Sequence, residues 1–201
     1  MGLLAAAVGY LLGSFPTGYL VGLAKGVDVR RYGSGATGGT NVQRTLGWGP
    51  AVVTGIGDIG KGILASYIGY RLGGNAGYAL GGFGAIVGHS WPVWLKFRGG
   101  KSVGTGAGTL MLQHPLALLA ALVFGFGVIV PTRYVGLGSL VGAIVLGGSI
   151  WLSGAPLEHK LLALGAVLVV YVRHWDNILR MLAGTENKFG QTAKPRNENP
   201  A

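Results

Sequence analysis

Long apolar segments, separated by short polar ones, run along most of the chain. A helix needs about 20 mostly apolar residues to cross a bilayer. Five segments approach or exceed that length: Leu3–Leu23, Pro50–Leu72, Leu116–Pro131, Val135–Leu152 and Leu161–Leu182. Two further apolar segments, Ala76–Gly88 and Lys101–Leu112, are shorter. The pattern predicts an all-α protein, a polytopic transmembrane helix bundle with seven spans, two of them short.

The distribution of charge predicts the orientation of this bundle. The chain has 16 Lys and Arg against 6 Asp and Glu, a formal net charge of +10. If all seven segments cross, the loops on one side of the membrane contain only two basic residues, Arg71 and Lys160. Lys61 lies within a span, and all the other basic residues lie in loops on the opposite side. Because loops rich in Lys and Arg stay in the cytoplasm, we expect the N-terminus outside and the C-terminus inside. A five-span alternative, in which the short segments enter without crossing, leaves the same loops on the same face; we favour seven.

Glycine and cysteine set further limits. The 40 glycines are spread through the apolar segments, and small residues let membrane helices approach closely. The chain has no cysteine, which excludes disulfides, thiolate catalysis and thiolate metal sites. We expect a single integral-membrane domain over residues 1–201, in which residues 191–201 form a flexible cytoplasmic tail.

Three polar clusters lie in the loops that this topology assigns to the cytoplasmic side. They read RRYGSGATGGTNVQRTLG over residues 30–47, GHSWPVWLKFRGGKSVGTGAG over residues 88–108 and YVRHWDNILRMLAGTENKFG over residues 171–190. In the first, glycines free the backbone, Thr40 or Asn41 is placed to cap the second spanning helix, and Arg44 lies one turn further on. A helix start beside an arginine suits an anion. A flexible loop that holds lipid headgroups is an equally good interpretation.

The second cluster places Gly99 and Gly100 before Lys101 and Ser102. A nucleotide-binding P-loop needs another glycine five residues before the second one, but Leu95 stands there. The missing glycine therefore excludes a nucleotide-binding loop. The segment is still compatible with a phosphate-binding nest, in which backbone N–H groups and a lysine contact the anion.

The third cluster and the spans add further polar candidates. His174 and Asn177 are three residues apart and share a helix face, although a histidine at a membrane boundary is more often a packing residue than a catalyst. His89, at the end of the third span, has the same two interpretations. Asp58 and Lys61 are the charges deep in a span; they also lie three apart, and a functional pair and a structural brace are both consistent with the sequence.

The chemistry of these groups favours a substrate that is already activated. The sequence has no carboxylate pair, no histidine pair with metal-ligand spacing and no His-x-x-x-x-Asp motif. Cations and amide N–H groups remain, and these bind and orient phosphates. An acyl phosphate fits such a site, because its leaving phosphate is itself able to take the proton of the attacking hydroxyl.

The three clusters, together with GSFPTGYLVGLAKGVDVR, DIGKG and TRYVGLGS, resemble the motifs of the bacterial acyl-phosphate-dependent glycerol-3-phosphate acyltransferases, in order and over nearly the whole chain. The resemblance implies transfer of an acyl group from acyl phosphate to the 1-hydroxyl of glycerol 3-phosphate, which gives lysophosphatidic acid and phosphate without a cofactor or metal. It also implies a multi-pass protein of the bacterial cytoplasmic membrane, with its active site facing the cytoplasm and an apolar groove for the acyl chain.

Site residues follow from this resemblance. Those implied for catalysis and for glycerol 3-phosphate are Ser34, Arg44, Lys101, His174 and Asn177. Those implied for acyl phosphate are Thr40, Asn41, Gly99, Gly100, Lys101, Ser102 and Ser139. Apart from the resemblance, we expect His89, Asp58, Lys61 and Glu186 to be supporting positions. The chain departs from the family pattern at Ala36, Ser102 and Asp176, where the family usually has Asn, Gly and Glu.

Two other functions are compatible with parts of the pattern. A small transporter or channel for a phosphorylated or anionic solute would also use broken helices aimed at a polar centre, and a scaffold would use basic loops to hold anionic lipid. As partners we expect glycerol 3-phosphate, acyl phosphate and membrane lipid, and no nucleic acid. The sequence does not reveal the oligomeric state, and a monomer is compatible with it.

Overall fold

The computed structural model describes residues 1–196, and within them the regular structure is entirely helical. The helices are α1 (Gly2–Gly13), α2 (Thr17–Leu23), α3 (Gly39–Leu46), α4 (Trp48–Ser90), α5 (Val103–Met111), α6 (Pro115–Thr132), α7 (Val135–Leu152), α8 (Leu157–Arg173) and α9 (Trp175–Leu182). Short 3₁₀ turns at Val29–Arg31 and Val93–Leu95 precede α3 and α5. The predicted all-α class is confirmed.

Several of these helices have the length and composition of membrane spans. Four stretches qualify in the described part of the chain, and a fifth is formed by α8 and α9 together, bent by 52° at His174. Large apolar side chains such as Leu119, Phe124 and Val130 point outward, as expected for a surface in contact with lipid. The count of seven spans and the direction of insertion stay predictions.

Helix α4 is a hairpin, because its 43 residues reverse direction at Gly73 and Gly74. Gly74 has a φ of 59°, in the left-handed region where a side chain is strained. The two arms, residues 48–72 and 75–90, then pack so closely that a Cβ on Gly69 would overlap the backbone of Gly77. The segments expected at Pro50–Leu72 and Ala76–Gly88 are these two arms.

Glycine contacts also hold α1 and α5 against α4. A Cβ on Gly9 would overlap the backbone of Gly81, and one on Gly62 would overlap the backbone of Thr105. The 9 residues of α5 extend about 14 Å, roughly half of a hydrocarbon core of about 30 Å. At the far end of this short helix, the Tyr78 hydroxyl donates to the Thr109 carbonyl.

The other end of the bundle, here called the loop end, gathers α3, residues 91–102, residues 133–134 and the chain after α9. The Phe189 amide donates to the Arg133 carbonyl at 2.7 Å, and the Ala193 amide donates to the Arg44 carbonyl at 3.0 Å. The last described residues are also bonded, since the Arg196 amide donates to the Arg31 carbonyl at 2.9 Å. The tail expected at 191–201 is thus hydrogen-bonded up to residue 196, and its last five residues lie outside the described chain.

Candidate active site

The three polar clusters meet at the loop end in a cavity of about 230 Å³, here called the polar cavity. It is lined by the whole set implied for glycerol 3-phosphate, namely Ser34, Arg44, Lys101, His174 and Asn177. It is also lined by Thr40, Asn41, Asp58, His89, Ser102, Ser139 and Glu186. Gly99, Gly100 and Lys61 lie outside its lining. Segments far apart in sequence therefore supply one site, as the predicted topology requires.

The first loop is braced by the Asn41 side chain. Its Oδ1 accepts the Ser34 amide at 3.0 Å, and its Nδ2 donates to the carbonyls of Val29 and Ala36, both at 2.9 Å. Both amide hydrogens are thus used within the loop, so Asn41 holds the loop's shape in this conformation. The expectation that Thr40 or Asn41 caps the second spanning helix was wrong: both residues lie within α3, and Gly47 is the N-cap of α4, without a side-chain bond.

Arg44 is held on the opposite side of α3 from solvent. Its side chain is 7% exposed, and its Nη2 donates to the Asn187 carbonyl at 3.0 Å. Burial lowers the pKa of Arg44, while the neighbouring Glu186 opposes the shift. A guanidinium remains charged in proteins, so the cavity keeps a fixed positive charge.

Lys101 starts a chain of hydrogen bonds across the cavity. Its Nζ donates to Asn177 Oδ1, Asn177 Nδ2 donates to Glu186 Oε1 at 2.7 Å, and Arg180 Nε donates to Glu186 Oε2 at 2.7 Å. Burial lowers the pKa of Lys101 to about 8, and the charge of Arg180 adds to that shift. Sequence reasoning did not select Arg180, whose only signal was its place in a basic cluster.

The turn at residues 99–102 differs in one respect from the expected phosphate nest. The Gly100 amide is already donated to the His89 carbonyl at 3.0 Å, and both Gly99 and Gly100 are buried. Arg173, which the sequence did not mark as a site residue, donates to both glycine carbonyls at 3.2 and 3.0 Å. The glycines therefore shape the turn, and Lys101 emerges from it into the cavity.

Helix α5 begins directly after this turn and offers further donors. Val103 and Gly104 line the polar cavity, and the first N–H groups of a helix have no partner within it. Such N–H groups and the positive end of the helix dipole attract anions. Sequence reasoning missed these two residues because their side chains carry no polar group.

His174 lies at the bend between α8 and α9. Its Nδ1 contacts the Val170 carbonyl at 2.8 Å, and a carbonyl only accepts, so Nδ1 carries the hydrogen. In the neutral ring Nε2 is then the acceptor. A buried acceptor nitrogen in the polar cavity suits a substrate hydroxyl.

One of the two intramembrane charges, Asp58, reaches the same cavity. Lys61 Nζ lies 2.9 Å from Asp58 Oδ1, which confirms the expected pair. His89 Nδ1 lies 3.4 Å from the same oxygen. Asp58 and His89 both line the polar cavity, so the pair is connected to a polar cluster that the sequence did not associate with it.

A second, larger cavity of about 700 Å³, here called the apolar groove, opens from the polar cavity between α5, α6, α7 and α8. The residues common to both linings are Gly39, Thr40, Ser102, Val103, Val135 and Ser139. Small residues such as Gly106, Gly142 and Ala143 keep the groove open, and Leu146, Gly147 and Ala163 line it further along α7 and α8. From Val135 to Gly147 the groove follows α7 for about 18 Å.

A cavity lined by Arg44 and Lys101 that opens into an apolar groove, within a bundle of membrane length, is the arrangement expected of a membrane protein that acts on an anionic amphiphile. The profile of the glycerol-3-phosphate acyltransferase family matches residues 3–184. The chain therefore belongs to the glycerol-3-phosphate acyltransferase family and is an integral-membrane acyltransferase. Its enzyme class agrees with the sequence resemblance and not with the transport alternative.

Individual relatives agree with this assignment. A glycerol-3-phosphate acyltransferase of Symbiobacterium thermophilum is 54% identical over 95% of this chain and 96% of its own. The crystal structure of the integral membrane glycerol 3-phosphate acyltransferase PlsY, in its glycerol 3-phosphate form, has a TM-score of 0.89 and 32% identity over 94% of this chain and 96% of its own. Its lysophosphatidic acid form has a TM-score of 0.86, 31% identity and 94% and 95% coverage.

Proposed function

We propose that this acyltransferase takes its acyl group from acyl phosphate and transfers it to the 1-hydroxyl of glycerol 3-phosphate, the first acylation of phospholipid synthesis. The observation that carries the proposal is the junction of the polar cavity with the apolar groove at Ser102, Val103 and Ser139. A donor with a phosphate head and an alkyl tail fits that junction. Its carbonyl carbon would then lie between the two cavities.

Glycerol 3-phosphate binds in the polar cavity through the residues whose charges and hydrogen bonds match it. Arg44 and Lys101 supply two cations for the phosphate, and Ser34 and Asn177 add neutral polar groups. The bond between Asn177 and Glu186 fixes the amide so that its oxygen faces Lys101. His174 Nε2 accepts from a glycerol hydroxyl.

Acyl phosphate binds at the start of α5. The N–H groups of Val103 and Gly104, the Lys101 ammonium and the Thr40 hydroxyl face its phosphate, with Ser102 and Asn41 holding the surrounding backbone. The Ser139 hydroxyl donates to the Val135 carbonyl at 2.9 Å, so it has to rotate away from that carbonyl to donate to the phosphate. The acyl chain lies in the apolar groove. Lys101 contacts both phosphates, which holds the two reactants together and lowers the entropic part of the barrier.

The reaction balances without a cofactor. The 1-hydroxyl oxygen attacks the acyl carbon, the new ester C–O bond forms, and the bond between the acyl carbon and the phosphate oxygen breaks. Lysophosphatidic acid and inorganic phosphate are the products. Two acceptors are placed for the hydroxyl proton, the departing phosphate and His174 Nε2. His174→Gln distinguishes them, because glutamine still accepts a hydrogen bond from the hydroxyl but does not take its proton. If the departing phosphate is the base, the variant should retain most of kcat.

We also propose the seven-span topology, with the loop end in the cytoplasm of a bacterial inner membrane. The antiparallel arms of α4 support it, since α1 with α2, the two arms, α5, α6, α7 and α8 with α9 make seven passages. Single cysteines test it in a chain that has none of its own. A membrane-impermeant maleimide applied to spheroplasts should label Gly154→Cys and not Arg98→Cys; the reverse pattern would refute the orientation.

The donor is tested with the purified protein in detergent. Radiolabelled glycerol 3-phosphate is incubated separately with palmitoyl phosphate, palmitoyl-CoA and palmitoyl carrier protein. We expect lysophosphatidic acid and an equal amount of inorganic phosphate with palmitoyl phosphate only. Product formed from a thioester alone would overturn the donor assignment while leaving the acyltransferase class intact.

A further inference from the structure

Asp58, Lys61 and His89 form a buried charged network next to the polar cavity. Their exposed fractions are 4%, 8% and 5%. Asp58 Oδ1 contacts both Lys61 Nζ at 2.9 Å and His89 Nδ1 at 3.4 Å. Burying such charges costs free energy that apolar residues of similar volume avoid, so the network needs an explanation beyond packing.

The network connects four segments of the chain. Lys61 Nζ donates to the Phe15 carbonyl at 3.0 Å, in the break between α1 and α2. Asp58 and Lys61 belong to the first arm of α4, and His89 to the second. The fourth segment is the turn at residues 99–102, which His89 contacts directly.

Two contacts join His89 to this turn. Its carbonyl accepts the Gly100 amide at 3.0 Å. Its imidazole also lies against Gly100, so that a Cβ built there would overlap the ring. The ring therefore limits how far the Gly100 backbone is able to approach α4, and Lys101 is the next residue along the chain.

Packing alone does not account for this arrangement. The α4 arms and α1 already make close backbone contacts through glycines such as Gly69 and Gly81, away from the cavity. The network instead lies where the turn that carries Lys101 meets α4. Its charges contact the imidazole that lies against Gly100.

We propose that Asp58, Lys61 and His89 are positioning residues, which fix the turn at residues 99–102 and thereby the Lys101 ammonium that binds acyl phosphate. The inference rests on the proposed function. Asp58 orients the imidazole through Nδ1, Lys61 holds Asp58, and the ring and carbonyl of His89 set the position of Gly100. None of the three needs to contact the reacting atoms.

A double-mutant cycle between His89 and Gly100 tests the proposal. Gly100→Ala forces the turn away from the ring, and His89→Ala removes the ring that defines its position. We expect each single change to raise KM for palmitoyl phosphate about tenfold, with kcat at saturation falling less than about threefold. In the double variant the new methyl group occupies the space left by the ring, so its KM should be no higher than that of either single variant.

Two further variants separate positioning from stability. Asp58→Asn should raise KM as His89→Ala does. His159→Ala is the matched control, because His159 is also 5% exposed but lies at the far end of the bundle, where it contacts His114. It should lower the thermal unfolding temperature without changing KM. Additive effects in the cycle, or an unchanged KM in Asp58→Asn, would refute the positioning role.

Calorimetric binding of inorganic phosphate gives the cycle a second readout. We expect the same non-additive pattern in the dissociation constant, because Lys101 binds the free anion as well. If the wild-type protein failed to use palmitoyl phosphate, the proposed donor would fall. The phosphate titration would still decide whether His89 and Gly100 are coupled.

Discussion

The polar cavity and the apolar groove adjoin each other but are built on different principles. In the cavity, specific hydrogen bonds hold the important side chains, as in the chain from Lys101 through Asn177 and Glu186 to Arg180. In the groove, small residues such as Gly142 and Gly147 leave an open space whose lining is mostly apolar. We infer that individual residues specify the head group, whereas the summed volume of many residues specifies the tail.

The largest expected effect is the loss of a cation from the polar cavity. Arg44→Ala or Lys101→Ala removes two or more charge-assisted hydrogen bonds, each worth about 1.5–3 kcal/mol, so kcat/KM should fall at least about 100-fold. Turnover of palmitoyl phosphate by purified protein measures it. Insertion and a monodisperse elution profile serve as the control, because the helices that cross the membrane are unchanged. Near-normal turnover in a well-folded variant would contradict the assigned roles.

Blocking the groove should have a graded effect that depends on chain length. A Cβ at residue 147 would lie 2.7 Å from Val167 Cγ2, so Gly147→Leu places a branched side chain in the groove and displaces the Val167 side chain. Each methylene kept out of the groove forfeits about 0.8 kcal/mol, so excluding three or four lowers kcat/KM about 100-fold. We expect this loss with palmitoyl phosphate and little change with octanoyl phosphate.

The neighbouring residue supplies the control for that experiment. Gly148 is exposed, with open space where a Cβ would lie, so Gly148→Leu adds the same side chain on the outside of the bundle. Its chain-length profile should match that of the wild type. An equal loss with all chain lengths in Gly147→Leu would mean that the groove does not hold the acyl chain.

The pH dependence of kcat/KM should reflect the polar cavity and not the apolar groove, because Lys101 lies in the cavity. The pKa of Lys101 is lowered to about 8, first by burial, and the protonated ammonium is the form that binds phosphate. kcat/KM, which reports on the free enzyme, should therefore fall as pH rises through about 8, by roughly tenfold per unit above it. In the complex a bound dianion favours the charged form, so the limb in kcat should lie at higher pH. A kcat/KM that stays flat to about pH 9 would contradict the role of Lys101.

More of the polar cavity than of the apolar groove could be predicted from the sequence. Topology and charge brought Arg44, Lys101 and His174 to one end of the bundle, because basic loops share a side of the membrane. They could not show that Asn41 braces its own loop or that His89 contacts Gly100, since both depend on the distance between particular atoms. The family resemblance implied an apolar groove but not its lining, because a glycine that lines a cavity and a glycine that packs two helices together look the same in sequence.

The smallest expected effect is a change in stability at Ser102, which lines both the polar cavity and the apolar groove. Ser102 has a φ of 58°, a left-handed conformation that costs a residue with a side chain about 1–2 kcal/mol. Its Oγ contacts the Ile86 carbonyl and Ser90 Oγ, both at 2.7 Å, and such bonds contribute about 0.5–1.5 kcal/mol each. Ser102→Gly loses the bonds and the strain together, so the net loss of stability should not exceed about 2 kcal/mol. Ser102→Ala keeps the strain and should be the less stable of the two, as measured by tryptophan fluorescence during thermal unfolding. The opposite order would mean that the left-handed backbone at residue 102 costs less free energy than the conformational freedom that glycine adds to the unfolded chain.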